Sequence, residues 1–274
     1  MHDDTDDPAG IAEWLKKTGY PLEMRVGSVF RRYNNLFCVH GAHFIDPITG
    51  MVRTTDICVH HGMDPSAVGK GQEFDLLVTF YIECKARPAP WVVFVDKFND
   101  AVDDPSYADL EAEIMHYPST IGDREKEFVE FINRDGDFYD YAPLVNPCRP
   151  MGYEICEKGT KEKDKPDPAY AAARQVASAA VALTINSAVD DDSPRRMGIP
   201  VLVTNGLLYE AWMDEDDVLK VAQVDSSKIL VRIGGEYGPT LVHVVTEGGI
   251  EDFARDCDDT AAALVGYSGG AGLV

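Results

Sequence analysis

Glu83 and Lys85 stand two residues apart at the end of a run, residues 74–82, that is almost wholly apolar: Phe74, Leu76, Leu77, Val78, Phe80, Tyr81 and Ile82. A carboxylate and an ammonium in a water-poor place are costly unless paired, coordinated or used. The run is strand-like, and residues two apart on a strand share a face. Tyr81, Glu83 and Lys85 therefore point one way, Ile82 and Cys84 the other. Upstream, Asp56 lies near the end of a second strand-like segment, "MVRTTDICV". If the two strands pair antiparallel, Asp56 and Glu83 fall at the same end of the sheet. Two carboxylates, a backbone carbonyl and waters suit a hard cation such as Mg2+ or Mn2+. A lysine one step away can hold a water or steady a phosphoryl oxygen. The alternative is an ordinary Glu83–Lys85 pair at a strand mouth, with Asp56 capping a loop.

The elements that must position these groups are readable on either side. A short helix is expected over residues 11–17. A second opens at Pro21, a favoured first helical position, with Leu22, Val26, Val29, Phe30 and Tyr33 on one stripe and Glu23 at its edge near the start. "LFCVHGAHFID", the turn signal "DPITG" and "MVRTTDICV" read as an antiparallel hairpin. A polar loop over residues 60–72 precedes the strand at Phe74, and "WVVFVD" is another apolar segment. A helix is expected over residues 123–133, a charged loop over 157–167 and an Ala-rich helix over 168–189. "GIPVLVTN" reads as a buried strand. Further strands are expected from Leu207 to Thr246, then a helix over 248–265. A three-strand meander, a crossover helix and a strand give an α/β fold, a mixed sheet with helices on both faces.

Composition bounds the class. The chain has 274 residues, 45% of them hydrophobic, enough for one sizeable core. It lacks an apolar stretch long enough for a membrane span, and "MHDDTDDPAG" is no secretory signal. Residues 1–10 read as a disordered acidic tail, 266–274 as a flexible one. The six cysteines form no CxxC pair, which points to reduced thiols in a cytoplasmic protein. The net charge of −22 argues against coating nucleic acid by bulk electrostatics, though not against an enzyme with a local basic rim and a bound cation.

Other signals carry less. His40 and His43, three apart on a strand, face opposite sides and cannot share a metal there. His60-His61 is expected in a solvated loop. "GYSGGAG" lacks the strand-turn-helix setting of a dinucleotide loop, and "VDDDS" lacks EF-hand spacing. Arg25, Arg31, Arg32, Lys70, Arg87 and Lys97 flank the site in sequence and are candidate phosphate contacts or surface balance. Trp91 reads as core.

An acidic residue on a hairpin arm followed by Glu-x-Lys at the end of the next strand resembles the PD-(D/E)xK nuclease superfamily, with its restriction-endonuclease-like fold. Here the motif is Asp56 in "RTTDI" and Glu83 to Lys85 in "IECK". Glu23 in "GYPLE" matches the place where many members carry an extra acidic residue on the preceding helix. "PWVVF" resembles the segment after the Glu-x-Lys in an uncharacterised bacterial branch. The proline that names the motif is replaced by Thr55. The resemblance covers residues 11–95 and 168–205, which leaves 101–167 as an insertion and 207–265 as C-terminal strands and helix added to one domain spanning 11–265.

The resemblance implies that Asp56 and Glu83 bind Mg2+ or Mn2+ with the Cys84 carbonyl as a third ligand. It implies that Lys85 positions a water and that Glu23 serves a second metal or proton movement. The activity would be phosphodiester hydrolysis in DNA, in defence or processing, with RNA or small nucleotides as alternatives and a homodimer or partner protein supplying specificity. Two rival readings remain: a catalytically silent scaffold that binds a partner, and a phosphohydrolase of small nucleotides. A positive groove around Glu83, against the global charge, would favour a polynucleotide enzyme.

Overall fold

The computed structural model describes residues 7–61, 76–96, 116–121, 141–146, 150–159, 167–185, 195–235 and 237–266. Among these, ten strands form one mixed sheet flanked by four helices. Helix α1 (Pro8–Leu15) and helix α2 (Tyr20–Phe30) open the chain, and each has proline in its first turn, where the missing N–H costs nothing. Helix α1 begins inside the stretch expected to be an acidic tail, with the Asp7 side chain capping Gly10 N.

Strands β1 (Leu36–Ile45), β2 (Val52–His61) and β3 (Leu76–Lys85) make the expected antiparallel meander. β4 (Trp91–Val95) comes next. β5 (Gly152–Glu157), not anticipated, lies within the stretch read as an insertion and pairs antiparallel with β4. Helix α3 (Pro168–Ile185) leads into β6 (Arg195–Thr204), which runs parallel to β3 from Leu76↔Arg195 to Lys85↔Thr204. β7 (Leu208–Met213), β8 (Leu219–Val224), β9 (Ser226–Arg232), β10 (Pro239–Thr246) and helix α4 (Ile250–Gly266) complete the chain. The sheet order is β1-β2-β3-β6-β10-β9-β5-β4-β7-β8, so β10 sits beside β6 mid-sheet rather than at an edge. The helix expected over 123–133 lies outside the described residues.

Two cores result. On one face, α2 and α4 bury Leu22, Val26, Phe30, Phe253 and Leu264 against Ile57, Val78, Phe80, Ile82 and Val201. On the other, the alanines of α3 bring it close to Tyr81, Leu202, Val242 and Trp91. The approach is tight enough that a Cβ at Gly198 of β6 would fall 2.2 Å from Thr184 Oγ1. β3 is thus covered on both faces, which is why its sequence is an apolar run rather than an alternation. The five described cysteines are free thiols. Among the described residues, no helix is long and apolar enough to cross a membrane.

Candidate active site at the split between β2 and β3

β2 pairs with β3 from His60↔Thr79 only as far as Ile57↔Ile82, yet stays paired with β1 down to Val52. It therefore leaves β3 and tracks β1. Facing this departure, Gly41 holds a φ of +71° between the pairs His40↔Ile57 and Ala42↔Thr55, a left-handed conformation that suits glycine. Side chains take over where the ladder stops. Asp56 Oδ2 accepts from Cys84 N at 2.7 Å, and Thr55 Oγ1 donates to the Ile82 carbonyl at 3.2 Å. Asp56 is thereby anchored one peptide away from Glu83.

Glu83 is 3% exposed. Lys85 Nζ lies 2.5 Å from its Oε1, and Gln175 Nε2 of α3 donates to the same oxygen at 2.9 Å. Among the described residues every hydrogen bond of Glu83 falls on Oε1 and that of Asp56 on Oδ2, so Oε2 and Oδ1 take none. Burial, then the charge of Asp56, pushes the Glu83 carboxyl up to about 7 against the pull of Lys85. Burial also raises Asp56, opposed by the Cys84 amide and Lys85. Glu23 is raised by burial and by Asp56, and lowered by Lys85. Three carboxylates thus share one field with one ammonium. The Glu-x-Lys spacing and the shared strand face come out as read from sequence. Glu23 joins electrostatically, from the first turn of α2. At Cys84 the contact seen is its N–H rather than its carbonyl.

Among the described residues, no three side chains of His, Cys, Asp or Glu converge into a ready metal cage. The donor set nevertheless suits a hard cation. It consists of carboxylate oxygens without hydrogen bonds, where three acids outnumber the one ammonium that acts on them. A divalent ion here would offset the burial that raises all three carboxyls and the like charge of Asp56 that adds to it at Glu83 and Glu23.

The sequence missed Gln175, Arg53 and Arg174. With Lys85 and Arg87 these line a cleft of about 440 Å³ between the β1–β2 turn and α3. Gln175 and Arg174 are long polar side chains in a helix otherwise built largely of alanine, the one signal that points to them. Three candidate phosphate contacts serve as surface pairs instead. Arg25 bonds Glu247, Arg32 bonds Glu251 at 2.6 Å, and Arg31 meets His40 Nε2 at 2.5 Å. Arg87 bonds Glu157 at 3.3 Å from the cleft's edge. Lys70 and Lys97 lie outside the described residues. His60 and His61 end β2 rather than entering a loop. His60 meets Thr79 at 2.9 Å, and His61 is 8% exposed near Asp258. Trp91 is fully buried, as core.

No family profile, no curated protein and no solved structure matches this chain.

Proposed function

We propose that this protein is a divalent-metal-dependent nuclease of PD-(D/E)xK type, hydrolysing phosphodiester bonds, with DNA as its expected substrate. The observation that carries the reading is the strand split itself. It anchors Asp56 on the amide of Cys84, beside a buried Glu83 already joined to Lys85. The order α2, β1, β2, β3, α3, β6, with β6 parallel to β3, supports the restriction-endonuclease-like fold.

Asp56 and Glu83, with the Cys84 carbonyl, would hold Mg2+ or Mn2+, and Glu23 would serve a second ion. When bound, the cation supplies Lewis-acid polarisation of the phosphoryl oxygen and a more acidic water. Lys85 orients the attacking water and steadies the phosphoryl oxygen, while Gln175 fixes the Glu83 carboxylate through Oε1. The water's oxygen forms the new P–O bond as the ester P–O bond breaks, and the proton the water gives up balances the one the departing oxygen takes up.

The scaffold reading draws on the net charge of −22; the cations lining the cleft weigh against it. The test is cleavage of plasmid and single-stranded DNA with Mg2+ or Mn2+ at low salt. Lys85→Ala is expected to reduce the rate by roughly 10²–10⁴-fold, the usual worth of a positioned proton-handling group. No cutting by the wild type under any of these conditions would sink the reading for the protein acting alone.

A further inference from the structure

We infer that the cleft between the β1–β2 turn and α3 is the seat of a single-stranded polynucleotide, held by its phosphates through Arg53, Arg87 and Arg174, so that a single strand is preferred to a duplex. This rests on the hydrolase reading for its biological sense, but the binding claim stands on separate residues.

The cleft's lining sets four cations, Arg53, Lys85, Arg87 and Arg174, against one carboxylate, Asp46. Lys85 and Arg87 also pair with Glu83 and Glu157 just outside the lining. It is therefore a concentration of guanidiniums rather than a reversal of sign that marks the cleft on a chain of net charge −22, with Arg174 bonded to a carbonyl and not to a carboxylate. Such a concentration draws an anionic ligand to one place. Asp46 is already committed. It accepts from Ile48 N at 2.9 Å and Thr49 N at 3.2 Å, and lies 2.8 Å from Arg53 Nε. The three guanidiniums are anchored yet unspent. Arg174 donates to the Ile233 carbonyl at 3.0 Å and Arg87 to Glu157 at 3.3 Å. Each guanidinium carries five N–H donors, so each keeps several for a phosphate.

The helix end does not compete for this role. At the start of α3, Ala169 N is taken by Asp167 Oδ1 at 2.9 Å, so side chains rather than helix amides must receive the anion. Size and shape then choose the form of the ligand. About 440 Å³ accommodates one or two nucleotides, within the range of small-ligand clefts. A duplex keeps its phosphates on a rigid, convex cylinder and would bridge the rim. Lys85 and Gln175 of the cleft both bond Glu83, so a strand seated there lies one side chain from the acids. No aromatic side chain lines the cleft among the described residues, so the grip falls on the phosphates, which carry no sequence information.

The experiment is fluorescence anisotropy of the full-length protein in EDTA, so that nothing is cut. The probes are a labelled DNA single strand, a duplex of the same sequence and a labelled mononucleotide. The single strand is expected to bind about tenfold or more tighter than either. Arg174→Gln and Arg87→Gln are each expected to weaken it about tenfold and to lower the salt slope by about one. Arg32→Ala, outside the cleft, is expected to change neither. Equal or tighter duplex binding, mononucleotide binding as tight as the single strand, or arginine variants that bind like wild type with an unchanged melting temperature would each overturn the inference. Absence of cutting with Mg2+ would overturn the hydrolase reading and leave this binding result intact.

Discussion

Two regions of this sheet bury charge, and they do so in opposite ways. On β9 and β10, Lys228 and His243 are 3% and 5% exposed, and each has a partner. Lys228 Nζ donates to the Asn146 carbonyl at 3.0 Å, and His243 Nε2 meets the Tyr117 hydroxyl at 2.8 Å, with the two rings stacked. Beside them Ser227 donates to Glu210 at 2.8 Å. At the end of β3, Glu83 is equally buried and bonded to Lys85 and Gln175, but it also faces Asp56 and Glu23, and burial and like charge hold it at about 7. The first region is a satisfied polar network of the kind that fixes a fold. The second keeps an unresolved electrostatic conflict, which is a mark of function rather than of stability.

The contrast can be broken by substitution. His243→Ala removes one partner of the buried Tyr117 hydroxyl, which also donates to the Leu144 carbonyl at 3.3 Å, together with the stacked ring, and is expected to cost about 1–3 kcal/mol in urea unfolding. Glu83→Gln is expected to leave the metal-free protein as stable as wild type or more so, while abolishing cleavage. A loss of stability at Glu83→Gln matching that at His243→Ala would erase the distinction.

The pH dependence sharpens it. The Glu83 carboxyl titrates near its ordinary value of 4.5 when unfolded and at about 7 when folded. Its protonated form is favoured by the fold, so its contribution is fully present below 4.5 and is lost as pH rises through 7. In EDTA, the melting temperature of Glu83→Gln is expected to gain on wild type between pH 5 and pH 8. A constant difference across that range would remove Glu83 as the strained group.

Two substitutions probe the contrast more gently. Gln175→Ala is expected to lower cleavage by several-fold with little change in melting temperature, since it releases one neutral hydrogen bond on Glu83 Oε1. Arg32→Ala breaks an exposed pair with Glu251 and is expected to move stability by no more than about 0.5 kcal/mol and cleavage not at all.

Legibility in the sequence depends on range. α2, the hairpin, β3, α3 and β6 are legible because each carries its own period or run of apolar residues, and the shared face of Glu83 and Lys85 needs only strand alternation. β5 escapes because Tyr153 and Glu154 are exposed and blur its pattern. His60 and His61 read as loop because polar residues at a strand end resemble one. Gln175 meets Glu83 across 92 residues of chain, and no local pattern announces such a contact. Arg53 and Arg174 likewise come to line one cleft only because α3 packs beside the hairpin turn. The split that anchors Asp56 shows only once the pairing of β2 with β1 and with β3 is compared, which no local pattern gives.

The most direct test of the central claim, that the acids at the strand split exist to hold a divalent cation, is calorimetric titration of the metal-free protein with Mn2+. The account predicts saturable binding in the wild type, lost in both Asp56→Asn and Glu83→Gln and retained in His243→Ala. Absence of binding in the wild type, or binding undiminished in Asp56→Asn and Glu83→Gln, would contradict it.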